Sequence, residues 1–126
     1  MSARRFGFRE VSVHFGMFDY EVACVIGPYQ DIARYIAWRF EDPGFKIECP
    51  LVRRGMTFSR KGYCPIIWLP RYPRTPTEYG TLCHEVLHAV RHLMHWADIP
   101  FSADSEEAHC HALGFAVTEI LSKLKR

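Results

Sequence analysis

"RTPTEYGTLCHEVLHAVRHLMHW", residues 74–96, is the stretch whose reading decides the fold. Thr75 is a good helix N-cap, Pro76 suits the first helical position, and Glu78 completes a Thr-x-x-Glu capping box. Three signals therefore agree on one start. Behind it, Tyr79, Leu82, Cys83, Val86, Val90, Leu93, Met94 and Ala97 recur every three or four residues, which is the spacing of one helix face. The spacing predicts a helix from about 76 to 97, stopped by "DIP". Cys83 falls on its apolar side, so packing is the expected role of that thiol.

Working outward, a last helix is expected from about 104 to the end, through "EEAHCHALGFAVTEILSKL", capped by Asp104 or Ser102. Upstream, "FREVSVHF" (8–15) alternates apolar and polar, "GMFD" reads as a turn and "YEVACVIG" as a second strand, so a hairpin is expected. Residues 28–42 place apolar side chains at 32, 33, 36, 37 and 40, a helical spacing ended by "EDPG". "FKIECPLV" (45–52) reads as a strand. "GYCPIIWLP" (62–70) reads as another, with Pro65 placing it at a sheet edge. The expected fold is a single α+β domain over 1–126. It has a small, largely antiparallel sheet, an N-terminal helix, the histidine helix and a C-terminal helix.

Bulk composition narrows the class. A chain of 126 residues with 48% hydrophobic and 14% aromatic content can bury one real core and is not disordered. No apolar run approaches the ~20 residues of a membrane span, and no signal-peptide pattern follows the charged N-terminus. Five scattered cysteines without a CxxC read as reduced thiols, so a cytoplasmic location is expected. Charge is uneven: residues 1–77 carry net +5 and residues 78–126 net −3. In 50–77, Arg53, Arg54, Arg60, Lys61, Arg71 and Arg74 stand without any acid, interleaved with Phe58, Tyr63, Trp68 and Tyr72. That pattern fits either a nucleic-acid or acidic-partner surface or an ordinary solvated sheet rim.

The helix also carries chemistry. His84, His88, His92 and His95 fall roughly opposite its apolar side, and a wet helix face would look the same. The spacing His84-Glu85-x-x-His88 argues for more. Residues i and i+4 lie ~5–6 Å apart at Cβ, so two imidazoles can converge on one cation at ~2.0–2.1 Å. Glu85, rotated off the ligand axis, can serve as general base toward the water that the metal activates. This composition would give the pattern by chance only about three times in a hundred.

A third ligand is needed. Glu107, nineteen positions after His88 at the start of the next helix, is the first candidate. Glu106, His109 and His111 are alternatives, and Asp104-x-x-Glu107 is also a capping box, which would explain Glu107 without a metal. Met94 stands where a metzincin would carry its third histidine. His111, His92, His95 and Tyr79 are candidates for orienting a ligand or touching substrate, and Tyr72 for stabilising an oxyanion.

"HEVLH" followed by "EEAHCHALG" resembles a minimal zincin metallopeptidase of the gluzincin kind. It is most similar to small phage- and prophage-encoded metallopeptidases and more distantly to the ImmA/IrrE peptidases, over roughly residues 62–121. ImmA/IrrE proteins usually carry a Gly where this chain has Leu87, and the Pro that ends their ligand helix is absent. The resemblance implies one Zn²⁺ held by His84, His88 and Glu107, Glu85 as base, and hydrolysis of a peptide or protein substrate in the host cytoplasm. It also implies an edge strand, here "CPIIWLP", that pairs with an extended peptide. The alternatives are a zinc-binding regulatory module without catalysis and a nucleic-acid-associated protein using residues 50–77.

Overall fold

In the computed structural model, residues 2–48 and 54–125 are described. Among them a four-stranded mixed sheet is covered by helices on both faces, an α+β arrangement. The strands are β1 (Arg9–Phe15), β2 (Tyr20–Ile26), β3 (Met56–Phe58) and β4 (Ile66–Leu69). The helices are α1 (Tyr29–Arg39), α2 (Pro76–Trp96) and α3 (Glu106–Leu124). Spatial order is β1-β2-β4-β3, with β2 and β4 parallel and the other two pairings antiparallel. No helix among the described residues is long and apolar enough to cross a membrane.

The hairpin of β1 and β2 forms as the alternation predicts, with Arg9 opposite Ile26 and Phe15 opposite Tyr20. The "GMFD" turn is a short 3-10 segment closed by Asp19 in the left-handed region. Period-two alternation then sorts the two central strands between two cores. Val22, Cys24, Ile67 and Leu69 face α2 and α3, against Leu82, Val86, Val90, Leu93, Ala116 and Ile120. Ala23, Val25, Ile66 and Trp68 face α1, against Ile32, Tyr35 and Ile36. Truncating Leu93 or Ile36 to Ala at such sites costs roughly 2–5 kcal/mol.

Two expectations are corrected and a third is refined. "CPIIWLP" is not an edge: β4 is a central strand between β2 and β3, and Pro65 precedes its first paired residue. Because the sheet is covered on both faces, β4 is buried at every position, and its continuous apolar run reflects that. Beyond β4 the edge strand is β3, a segment that none of the expected elements covers, and β1 forms the opposite edge. "FKIECPLV" is not a strand over 45–48, and 49–52 lie outside the described residues. The sheet is antiparallel in two of its three pairings, as expected, but its central pairing, β2 with β4, is parallel, which makes it mixed.

Helix α2 starts as expected. Thr75 Oγ1 accepts from the Glu78 N–H at 3.2 Å, and Glu78 Oε1 accepts from the Thr75 N–H at 3.1 Å. At α3, by contrast, the cap position is Ser105 and neither Asp104 nor Ser102 caps it. Ser105 Oγ instead bonds back to Pro100 and Ser102. The Asp104-x-x-Glu107 capping box does not form. Cys83 is exposed rather than packed.

Candidate active site

Glu85 sits on the border of the apolar face of α2 and is 7% exposed, whereas His84 and His88 are exposed. A nearly buried carboxylate needs a partner, and Thr57 of β3 supplies it. Thr57 Oγ1 lies 2.9 Å from Glu85 Oε1 and 2.8 Å from the Glu85 carbonyl oxygen. Alternation explains why Thr57 is there: Met56 and Phe58 pack on the α1 side, so Thr57 points to α2. Gly55 allows the close approach. A Cβ there would lie 2.9 Å from Thr81 Cγ2 and 3.2 Å from Leu69 Cδ2.

The other carboxylate oxygen, Oε2, lies 3.7 Å from His84 Nε2. His84 and His88 bring their Nε2 atoms to 3.2 Å, with rings nearly perpendicular. Two ligand nitrogens ~2.0–2.1 Å from a tetrahedral ion lie about 3.3 Å apart. The pair therefore has the separation of two zinc ligands, which is also that of an N–H···N bond between neutral imidazoles. His84 and Glu85, but not His88, line a depression of about 380 Å³ together with Arg54, Gly55, Thr77, Gly80 and Thr81.

Glu107 is elsewhere. It is exposed on the first turn of α3, its Oε1 3.2 Å from His111 Nε2, and Glu106 beside it is exposed too. That turn lies against the end of α2, where Arg91, His95, Asp98, Phe101 and His109 line a cavity of about 160 Å³. His95 is seven residues beyond His88, roughly 10 Å along the axis at ~1.5 Å per residue. The structure thus brings His84, Glu85 and His88 together and sets Glu107 with His111 apart. Among the described residues no three His, Cys, Asp or Glu side chains converge on one point.

The remaining candidates are placed as follows. His109 is 3% exposed, donates Nδ1–H to the Ser105 carbonyl at 2.9 Å and meets the Phe101 ring edge-on. His92 packs beside Tyr20, and burial, then His95, lowers its pKa. Tyr79 is exposed, and Tyr72 packs half-buried against the α2 core. Cys24 is fully buried in the core beneath α2 and α3, and burial pushes its thiol up to about 12.

The basic stretch is largely occupied with structure. Trp68 and Phe58 are core residues, with Trp68 Nε1 donating to the Gly27 carbonyl. Tyr63 stacks with Phe40. Arg60 pairs with Asp42 and Arg71 with Glu78. Arg54, Lys61 and Arg74 are exposed, and Arg53 lies outside the described residues.

Thr57 is the site residue that sequence reasoning missed. It lies in a three-residue strand, too short for a period to register, and no motif places it opposite Glu85. No family model matches the chain, and no curated protein or solved structure does so either.

Proposed function

We propose that this chain is a zinc-dependent metallopeptidase. The observation that carries the reading is the division of labour at the α2 surface. Two imidazole nitrogens stand 3.2 Å apart on the exposed face of the helix, and the intervening carboxylate is buried and held with one oxygen turned toward His84. His84 and His88 would hold the metal through Nε2, and the donor set of neutral imidazoles and a carboxylate suits zinc. Glu107 is the third ligand on the plan that the sequence resembles.

When bound, zinc supplies Lewis acidity toward water and a peptide carbonyl. Glu85 Oε2 accepts the proton of the attacking water as the new C–O bond forms. It then returns that proton to the amine as the C–N bond breaks, leaving Glu85 ionised as it began. A peptide adding as a strand to the edge of β3 that no described strand covers would run beside this site, with Arg54 and Gly55 flanking it.

The test is zinc content and turnover together. Wild type should hold about one zinc per chain by mass spectrometry and cleave labelled casein. Glu85→Gln should keep the zinc and lose about 10²–10⁴-fold in turnover. Equal cleavage by Glu85→Gln and wild type would remove the mechanism.

A further inference from the structure

We infer that Thr57 is a positioning residue for the base, fixing which oxygen of Glu85 faces the histidine pair. The inference rests on the peptidase reading above and deepens it. A carboxylate has two equivalent oxygens and a free side-chain torsion, so an exposed glutamate offers either oxygen in many orientations. Here Oε1 is tied to Thr57 Oγ1 at 2.9 Å, and Oε2 is left toward His84. The same hydroxyl lies 2.8 Å from the Glu85 backbone carbonyl, so its single proton is shared between the helix carbonyl and the carboxylate in a three-centre bond.

The anchor is itself fixed. Thr57 is β-branched and stiff about χ1. Its strand pairs with β4, Thr57 lying opposite Ile67, and Gly55 lets that strand close on Thr81 of α2 without a clash. The position of the base is therefore set from the sheet edge rather than from its own helix. That edge is also where an extended peptide would add, so Thr57 joins the substrate-binding strand to the proton-transfer group.

A buried glutamate also needs a hydrogen-bond donor for stability alone, so the experiment separates the two roles. Thr57→Val keeps branching and volume but removes the hydroxyl; Thr57→Ser keeps the hydroxyl. The zinc-loaded proteins are compared for casein hydrolysis, zinc content and pH profile. Thr57→Val should lower kcat about tenfold to a hundredfold, leave KM within about twofold and retain one zinc; Thr57→Ser should recover to within about threefold of wild type.

A second readout needs no activity. In metal-free protein, Thr57→Val and Glu85→Ala should be coupled in urea unfolding, their effects departing from additivity by at least about fivefold in the unfolding constant. Additive effects overturn the contact. Coupled effects with wild-type kcat in Thr57→Val overturn the positioning role alone. A wild type that carries zinc but leaves casein intact overturns the peptidase reading, and the positioning role with it.

Discussion

The two acids of the candidate site, Glu85 and Glu107, differ as much as two glutamates on neighbouring helices can. Glu85 is 7% exposed, seated on a helix whose start is fixed by a full capping box, and tied to a strand across the cleft. The Glu107 side chain is 82% exposed, on the first turn of a helix with no side-chain cap, and pairs with His111 on its own helix. The contrast separates preorganisation from recruitment. On the proposed reading, the group that would move protons is already in place, while Glu107 would have to be brought from the first turn of α3 to the ion.

The sharpest way to break this contrast is to delete ligands from each side of it. Structural zinc sites bind with ~10–16 kcal/mol over four ligands, so one ligand carries about 3 kcal/mol. His88→Ala should therefore weaken zinc binding on the order of a hundredfold, read by competition with a chromophoric chelator. Glu107→Ala should cost less, about tenfold, because the wild-type protein would spend part of that ligand's energy in parting Glu107 from His111 and bringing it to the histidine pair. Zinc should also protect amides of residues 102–111 from hydrogen exchange more than those of 80–88. Equal protection in the two segments, or a larger loss in Glu107→Ala than in His88→Ala, would erase the contrast.

Next in size is the support of Glu85. Gly55→Ala forces a Cβ against Thr81 and Leu69 and should destabilise the protein by about 1–3 kcal/mol. Denaturation should show the loss, and turnover should fall with it if β3 backs away from α2. The smallest effect is at the start of α2. The Arg71 guanidinium, with the Arg74 and Thr75 N–H groups, holds the Glu78 carboxyl at about 2, below its ordinary 4.5. A depressed carboxylate adds stability above its unfolded pKa and loses it as pH falls. The capping box should therefore weaken progressively from about pH 4.5 down through about pH 2. A carboxyl titration of Glu78 by NMR checks this, and a midpoint near 4.5 would mean that the Arg71 contact does not persist.

Much of the molecule was legible because its signals are local. Thr75, Pro76 and Glu78 marked the start of α2 to the residue, and alternation gave the β1–β2 hairpin to within a residue at its ends. The spacing of Ile32, Ile36 and Phe40 gave α1. The errors came where tertiary context decides. Pro65 suggested an edge, but it sits one residue before β4 and leaves every ladder position intact. The all-apolar "IIWL" was the better guide, since only a strand covered on both faces is buried throughout. Strand β3 has three residues, and it exists because β4 offers it an edge. Of the site, His84, Glu85 and His88 were visible as spacing. Thr57 was not, because its partner is 28 positions away and across the sheet.

The parallel pairing of β2 with β4 also governs how the chain assembles. Ala23 meets Ile66 across more than forty positions of sequence, with α1 and β3 inside the loop. The hairpin and the helices can form from neighbours within a few residues, but this central seam must first close a long loop. Thr57 and Glu85 meet only after β3 has docked on that seam. His84, Glu85 and His88 come together with their own helix, but the contact that anchors Glu85 waits on the seam, so conditions that slow seam closure should leave α2 formed and its glutamate without Thr57.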